Sequence, residues 1–358
     1  MAPGSIPHSC VKCGGAATSV CKGCKSMPDG AGGTINIYYC GGACQKAHWS
    51  THKAQCKLAQ IRQALYRAGD LAKAMFQMMR KVTWKTKFSK MEKASNLWIM
   101  HHPAKYTGKS FMLPFQSVMF PEKQDEEAIL SWLSCADAVD HMHYFVKFLL
   151  KDFCSEVDEI SHLTKNTKLR IFQRFISGGL DGTDYAHTVI RATLKNGEKY
   201  IMDMTGAQYR WPETITPWEQ YQDVKIASIK QILPFGGTAA FCKKRAEDMA
   251  GHRLWVHQVD NSFAEALGQL LNIWQKMNLS LGAMLNLPDS DFRAKRMALL
   301  GSVENDLQMF KAYNEQIGQY DIKGEVTWGD AHEAASGREY KIVKGLEAAK
   351  HFDKLVNT

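Results

Sequence analysis

A chain of 358 residues can bury one large core or a few smaller ones, and its 45% hydrophobic and 23% charged content is ordinary for a globular protein. No apolar run approaches the ~18 to 20 residues that span a bilayer, and the opening Met-Ala-Pro-Gly-Ser-Ile-Pro lacks the basic start and apolar stretch of a secretory signal, so a cytoplasmic or nuclear location and no membrane partner are expected. The net charge of +9 is lopsided: residues 1–110 hold seventeen Lys or Arg against three acids, a net +14 that leaves −5 for residues 111–358, and an anionic partner such as RNA is expected at the basic end.

Seven of the ten cysteines fall within residues 10–56, in the order Cys10-x2-Cys13, Cys21-x2-Cys24, Cys40-x3-Cys44 and His52-x3-Cys56. Clustered thiols in a reducing compartment read as metal ligands, and eight thiolate and imidazole donors suit two tetrahedral Zn²⁺ ions. His52 and Cys56 stand four apart and project from one face of a helix. With Tyr39-Cys40, Cys44-Gln45, Trp49 and His52-Lys53 at their positions, the segment resembles the MYND family of zinc fingers. The resemblance implies interleaved structural sites, with Cys10, Cys13, Cys40 and Cys44 on one zinc and Cys21, Cys24, His52 and Cys56 on the other. It also implies a short proline-containing peptide held by Gln45 and Trp49; the alternative is that Trp49 packs the finger onto the rest of the chain. His8 and His48 are expected to face solvent, because all eight ligand places are filled.

Beyond the finger, Leu58, Ile61, Leu65, Ala68, Ala72, Met75 and Met79 recur at helical spacing, with Arg62, Arg67, Lys73 and Arg80 off the apolar stripe. A basic run from Arg80 to Lys93, followed by Pro103, Pro114 and Pro121, suggests an irregular linker. A helix within 126–153 places Cys135, Ala138, Val139, Met142, Val146, Leu149 and Phe153 on one face. Residues 185–194 and 199–204 are rich in β-formers and flank Lys195-Asn196-Gly197-Glu198, a hairpin signal, and a further strand is expected over 224–232. From Asn261, Phe263, Leu267, Leu270, Leu271 and Trp274 open two or three C-terminal helices. The expected fold is α+β. A two-zinc finger covers 1–57 and a basic helix with irregular linker 58–125; an antiparallel sheet covered by helices follows over 126–250, and a helical region packed on that body over 251–358.

His187 begins the first strand of the hairpin, Asp203 ends the second, and Cys135 precedes both. This order resembles arylamine N-acetyltransferases and transglutaminase-like enzymes, and implies Cys135 as nucleophile, His187 as its base and Asp203 as the group that orients the imidazole. Ser134-x-x-Asp137 can cap a helix that starts at Cys135. The plainer alternative is a buried cysteine on an unbroken helix, a core histidine and a turn aspartate. Hairpin register bears on the choice. A two-residue Asn196-Gly197 turn pairs Asp203 with Ile190 and sets it on the opposite face from His187, whereas a three-residue Lys195-Asn196-Gly197 loop pairs it with Val189 and joins the two on one face. His141 and His143 are two apart on a helix, point to different faces and do not suggest a metal site. The expected function is acyl transfer or amide-bond formation, with an aminoacyl-tRNA as donor if the basic end binds RNA. The alternative is a non-catalytic adapter that recruits peptides through the finger. The whole arrangement resembles fungal proteins that join an N-terminal MYND finger to an α+β body.

Overall fold

The computed structural model describes residues 8–102, 110–174, 180–181, 185–249 and 251–321. In the finger, β1 (Ser19–Val20), β2 (Met27–Pro28), β3 (Thr34–Ile35) and β4 (Tyr38–Tyr39) form two antiparallel pairs, β1 with β4 and β2 with β3. Its small core is made largely of ligands: Cys10, Cys21, Cys24 and Cys56 pack with Ile35, Tyr39 and Ala59.

Helix α1 runs unbroken over Gly42–Val82, 41 residues, so it starts inside the finger and well before the stripe that opens at Leu58. Between Trp49 and Gln60 the sequence offers neither Gly nor Pro to stop it. Its second half is core rather than a surface helix: Leu65, Ala68, Leu71, Ala72, Met75, Phe76 and Val82 are fully buried.

The segment expected to be a linker is also built into the body. Strands β5 (Lys90–Lys93) and β6 (Leu97–His101) open a four-stranded sheet in the order β5-β6-β8-β9, with β8 at Arg170–Arg174 and β9 at Leu180–Asp181. The β6–β8 pair is parallel and the others are antiparallel. Trp84, Phe88, Trp98, Met100 and Phe120 close over it with Ala128, Ile129 and Leu130, so aromatic burial outweighs the prolines and lysines of this stretch. Pro103 lies outside the described residues.

The helix expected within 126–153 is three helices, α2 (Lys123–Ser131), α3 (Cys135–His141) and α4 (His143–Leu150). The first break is Trp132-Leu133-Ser134, where Leu133 takes a left-handed φ of 49° and donates its N–H to Gln208.

Strand β7 (Cys154–Thr164) follows, and with β10 (His187–Leu194), β11 (Lys199–Met202), β12 (Ile215–Pro217) and β13 (Ile226–Pro234) it makes a five-stranded antiparallel sheet in the order β12-β11-β10-β7-β13. On one face Ile190, Ala192, Leu194, Tyr200 and Met202 meet the core of α1 and α4. On the other, Ile160, Val189 and Ile201 meet Tyr221 of α5 (Trp218–Lys225). Helices α6 (Gly237–Glu247), α7 (Gly251–Met277), α8 (Leu281–Leu285) and α9 (Asp289–Gln316) complete the described fold. The C-terminal helices thus begin ten residues before Asn261, and residues 322–358 of the region expected to be helical lie outside the described residues.

The basic front of the chain meets acids of its own body. Arg62 pairs with Glu198, Arg67 with Asp289, Lys73 with Glu127, Lys81 with Glu126, Lys85 with Asp260 and Lys93 with Asp125. The charge asymmetry of the sequence is therefore in good part internal complementarity. Among the described residues no helix is long and apolar enough to cross a membrane.

Candidate functional site

The finger brings its eight predicted ligands together as two sets, Cys10, Cys13, Cys40 and Cys44, and Cys21, Cys24, His52 and Cys56, the donor atoms of each set lying within 4.8 Å of one another. Knuckle turns place the paired cysteines, with Gly14 N–H donating to Cys10 and Cys24 N–H to Cys21, while the start of α1 supplies Cys44, His52 and Cys56. Measured edges are 3.6 Å for Cys13–Cys40, 3.4 Å for Cys40–Cys44, 3.5 Å for Cys24 Sγ to His52 Nε2 and 3.4 Å for Cys21 Sγ to the same nitrogen. A tetrahedron with Zn–S of about 2.3 Å has edges of about 3.8 Å, slightly shorter where nitrogen replaces sulfur, so the residues fit Zn²⁺. Each set fills four places and leaves none for a reacting water, which makes both sites structural.

His48 does not face solvent as expected. It is partly buried, with Nδ1 3.0 Å from the Tyr39 hydroxyl and its ring stacked on that of His52 at 5.8 Å, so it braces the second site without being a ligand. Trp49 does not pack the finger onto the body: it is 42% exposed, and it lines a shallow groove of about 260 Å³ with Gly42, Gln45 and Lys46. The finger loop instead meets the guanidinium of Arg62 at Gly30 and the side chain of Gln220 at Gly32.

In the body, the hairpin turns through Lys195-Asn196-Gly197. Gly197 holds φ 90° and the N–H of Leu194 donates to Glu198 at 2.8 Å. Arg191 stands opposite Ile201, and extending that register by two sets Asp203 opposite Val189 and on the face of His187. His187 Nε2 lies 3.0 Å from Asp203 Oδ1, both side chains fully buried. Burial opposes a charge on His187, but the Asp203 carboxylate, then the Cys135 sulfur, overrule it and raise the imidazole to about 10. Burial likewise opposes a charge on Asp203, and the His187 imidazolium overrules it and holds the carboxyl well below the usual range.

Cys135 is the first residue of α3, which packs against β10, and its Sγ lies 3.7 Å from the carbonyl of Ala186, the neighbour of His187. Cys135, Cys154 and Cys242 are all partly exposed, and burial pushes the thiols of Cys154 and Cys242 up to about 12. The expected capping box does not form: the Ser134 hydroxyl turns back to the carbonyls of Ser131 and Leu130, so it ends α2 rather than starting α3. The structure therefore gathers Cys135, His187 and Asp203 at one place, and the imidazole presents Nε2 to the carboxylate.

Four neighbours of this place escaped the sequence reading. Tyr221 donates to Asp203 Oδ2 at 2.8 Å, His162 sets its ring 5.4 Å from that of His187, and Tyr209 and Trp211 set theirs at 5.1 and 6.2 Å. The alternation of β7 and the helical spacing of α5 were the available signals, but neither shows which face meets His187. His141 and His143 belong to α3 and α4, and His143 is covered by Phe235 at 4.4 Å between ring centres.

No curated protein and no solved structure matches the chain. Residues 10–56 match the family model of the MYND finger, and this match spans all eight ligands of the two tetrahedral sets, so the N-terminal module is a MYND zinc finger.

Proposed function

We propose that the body is a thiol-dependent acyltransferase or amide-forming enzyme, with Cys135 as nucleophile, His187 as acid and base and Asp203 as orienter. The observation that carries this reading is the fully buried His187–Asp203 pair at 3.0 Å, with His187 Nδ1 left without a hydrogen-bond partner among the described residues and the Cys135 sulfur 3.7 Å from the carbonyl of the adjacent Ala186. An imidazolium beside a sulfur favours the thiolate, which is the reacting species. The thiolate adds to the carbonyl of an acyl donor, and as the tetrahedral intermediate collapses the imidazolium gives its proton to the leaving group, leaving a thioester on Cys135. An amine then attacks the thioester, the neutral imidazole takes its proton, and the thiolate leaves.

The test is acylation by p-nitrophenyl acetate. One acetyl group should appear on Cys135 by mass spectrometry, with a burst of nitrophenol, and both should vanish in Cys135→Ala and fall by orders of magnitude in His187→Ala. Unchanged acylation in Cys135→Ala sinks the reading. An aminoacyl-tRNA as natural donor rests on the basic front of the chain. Because Arg62, Arg67, Lys73, Lys81, Lys85 and Lys93 are paired with acids of the body, that role falls chiefly to finger lysines such as Lys46 and Lys53, which form no ion pair among the described residues.

A second reading is favoured by the exposed Trp49 and its groove. The finger recruits a proline-containing peptide across Gln45 and Trp49, alone as an adapter or as the means by which the body receives its substrate.

A further inference from the structure

Asp203 is an anion with no access to solvent, so each of its oxygens needs a donor. Oδ1 is shared by His187 Nε2 at 3.0 Å and the N–H of Thr205 at 3.1 Å. Oδ2 receives the Tyr221 hydroxyl at 2.8 Å. Tyr221 is itself fully buried near the middle of α5, and its ring is held by the edge of Trp211 and by the Lys225 ammonium 5.0 Å above it. On its far side the phenol oxygen lies 3.4 Å from His162 Nε2. His162 Nδ1 lies 3.0 Å from the carbonyl of Leu163 and so carries the proton of the neutral ring, which leaves Nε2 as a lone pair. Burial first, then the charge on His187, brings His162 down to about 4, so it stays neutral at physiological pH. A neutral His162 offers the phenol no donor and competes only weakly for its single proton. That proton goes to the closer, charged partner, Asp203.

We propose that Tyr221 is a positioning residue of the proposed Cys135–His187–Asp203 centre: its hydroxyl occupies Asp203 Oδ2, which leaves Oδ1 turned to His187. This rests on the catalytic reading of the body and extends it to α5. Without the hydroxyl, Oδ2 is a buried anionic oxygen that has lost its donor. The carboxylate is then no longer held at Oδ2, and rotation takes Oδ1 out of the line of the imidazole. His187 holds its proton less firmly, and the Cys135 thiolate loses its partner. Packing alone asks nothing of the hydroxyl, because Tyr221→Phe keeps the ring contacts with Trp211, His162 and Lys225.

The experiment uses the full zinc-loaded chain and follows carboxamidomethylation of Cys135 by iodoacetamide from pH 4 to 9, read by mass spectrometry with Cys154 and Cys242 as slow internal references. Circular dichroism gives the temperature range in which each variant is folded. In Tyr221→Phe the half-maximal rate should move to higher pH by about one unit, with a roughly tenfold slower reaction on the acid limb, the factor expected for one hydrogen bond to a charged group. Asp203→Asn should shift it further, and Tyr221→Phe added to Asp203→Asn should change little more, because the phenol acts only through the carboxylate. A wild-type measurement is independent of how well any variant folds. The His187 imidazole N–H should appear as a low-field, slowly exchanging proton in the NMR spectrum, and its absence overturns the assignment. A wild-type profile in Tyr221→Phe beside a shifted one in Asp203→Asn overturns the role of Tyr221 and leaves the triad standing. Cys135 reacting no faster than Cys154 and Cys242 in the wild type removes the triad and the role of Tyr221 together.

Discussion

Arg62 on α1 grips Glu198 at the tip of the β10–β11 hairpin, 136 positions along the chain, through Nε at 2.9 Å and through a second guanidinium nitrogen. Glu198 also accepts from the Tyr200 hydroxyl at 2.9 Å, and these partners, Arg62 foremost, hold its carboxyl below the ordinary value. A carboxylate whose value is lowered in the folded state contributes stability above its unfolded value, near 4.3, and loses that contribution as pH falls through the folded one. Glu198→Gln should therefore cost about 1 to 3 kcal/mol at pH 7 and much less near pH 3. Urea melts at the two pH values check this, and an equal loss at both would mean that the ion pair contributes nothing.

Gly69 lies where α1 crosses β12, and a Cβ there would fall 2.5 Å from Cγ1 of Ile215. Alanine improves the helix by roughly 1 kcal/mol, but the overlap costs about 1 to 3. Gly69→Ala should therefore lower the melting temperature, and Ile215→Ala in the same chain should restore part of the loss. A more stable single variant would show that the helix and strand can separate freely.

Elemental analysis should find two zinc ions per chain, as two closed four-ligand sets require. Cys40→Ser breaks one set and should unfold the strands of the finger, since binding and folding of so small a unit are one free energy. Near-ultraviolet signals from the buried Trp84 and Trp98 should persist, because their core contains no finger residue. Loss of those signals together with the metal would show that the body depends on the zinc.

Trp49→Ala should abolish binding of a proline-rich peptide while changing stability by no more than about 0.5 kcal/mol, the usual range for an exposed position. Titration by fluorescence or calorimetry measures the first and thermal melts the second. Undiminished peptide binding would place the peptide somewhere other than this groove.

The parts of the fold that were legible in the sequence are those written in short spacings. The zinc ligands come in pairs three or four positions apart, and the hairpin lies between two β-rich runs joined by a turn that contains Gly197. The segment from Trp84 to Met100 misled because its charge is conspicuous and its burial depends on partners at Phe120, Ile129 and Leu169. The break at Leu133 was hidden because no Gly or Pro marks it; the left-handed turn is held by Gln208, 75 positions away. Tyr221 and His162 were hidden for the same reason. A tyrosine in a polar helix and a histidine in an alternating strand gain meaning only when the sheet order sets β7 beside β10.

Helix α1 is a single rod from the finger into the core, and this sets a ruler between the groove and the sheet. From Trp49 to Gly69, where the rod meets β12, the rise is about 30 Å at 1.5 Å per residue. An extended peptide advances about 3.3 to 3.6 Å per residue, so one anchored on Trp49 must run on for roughly nine residues to reach the sheet. If Trp49 anchors a peptide as proposed, shorter tails stay tethered short of the sheet and longer ones reach it at a high local concentration. On that proposal the length of the peptide, as well as its sequence, would be a criterion of selection.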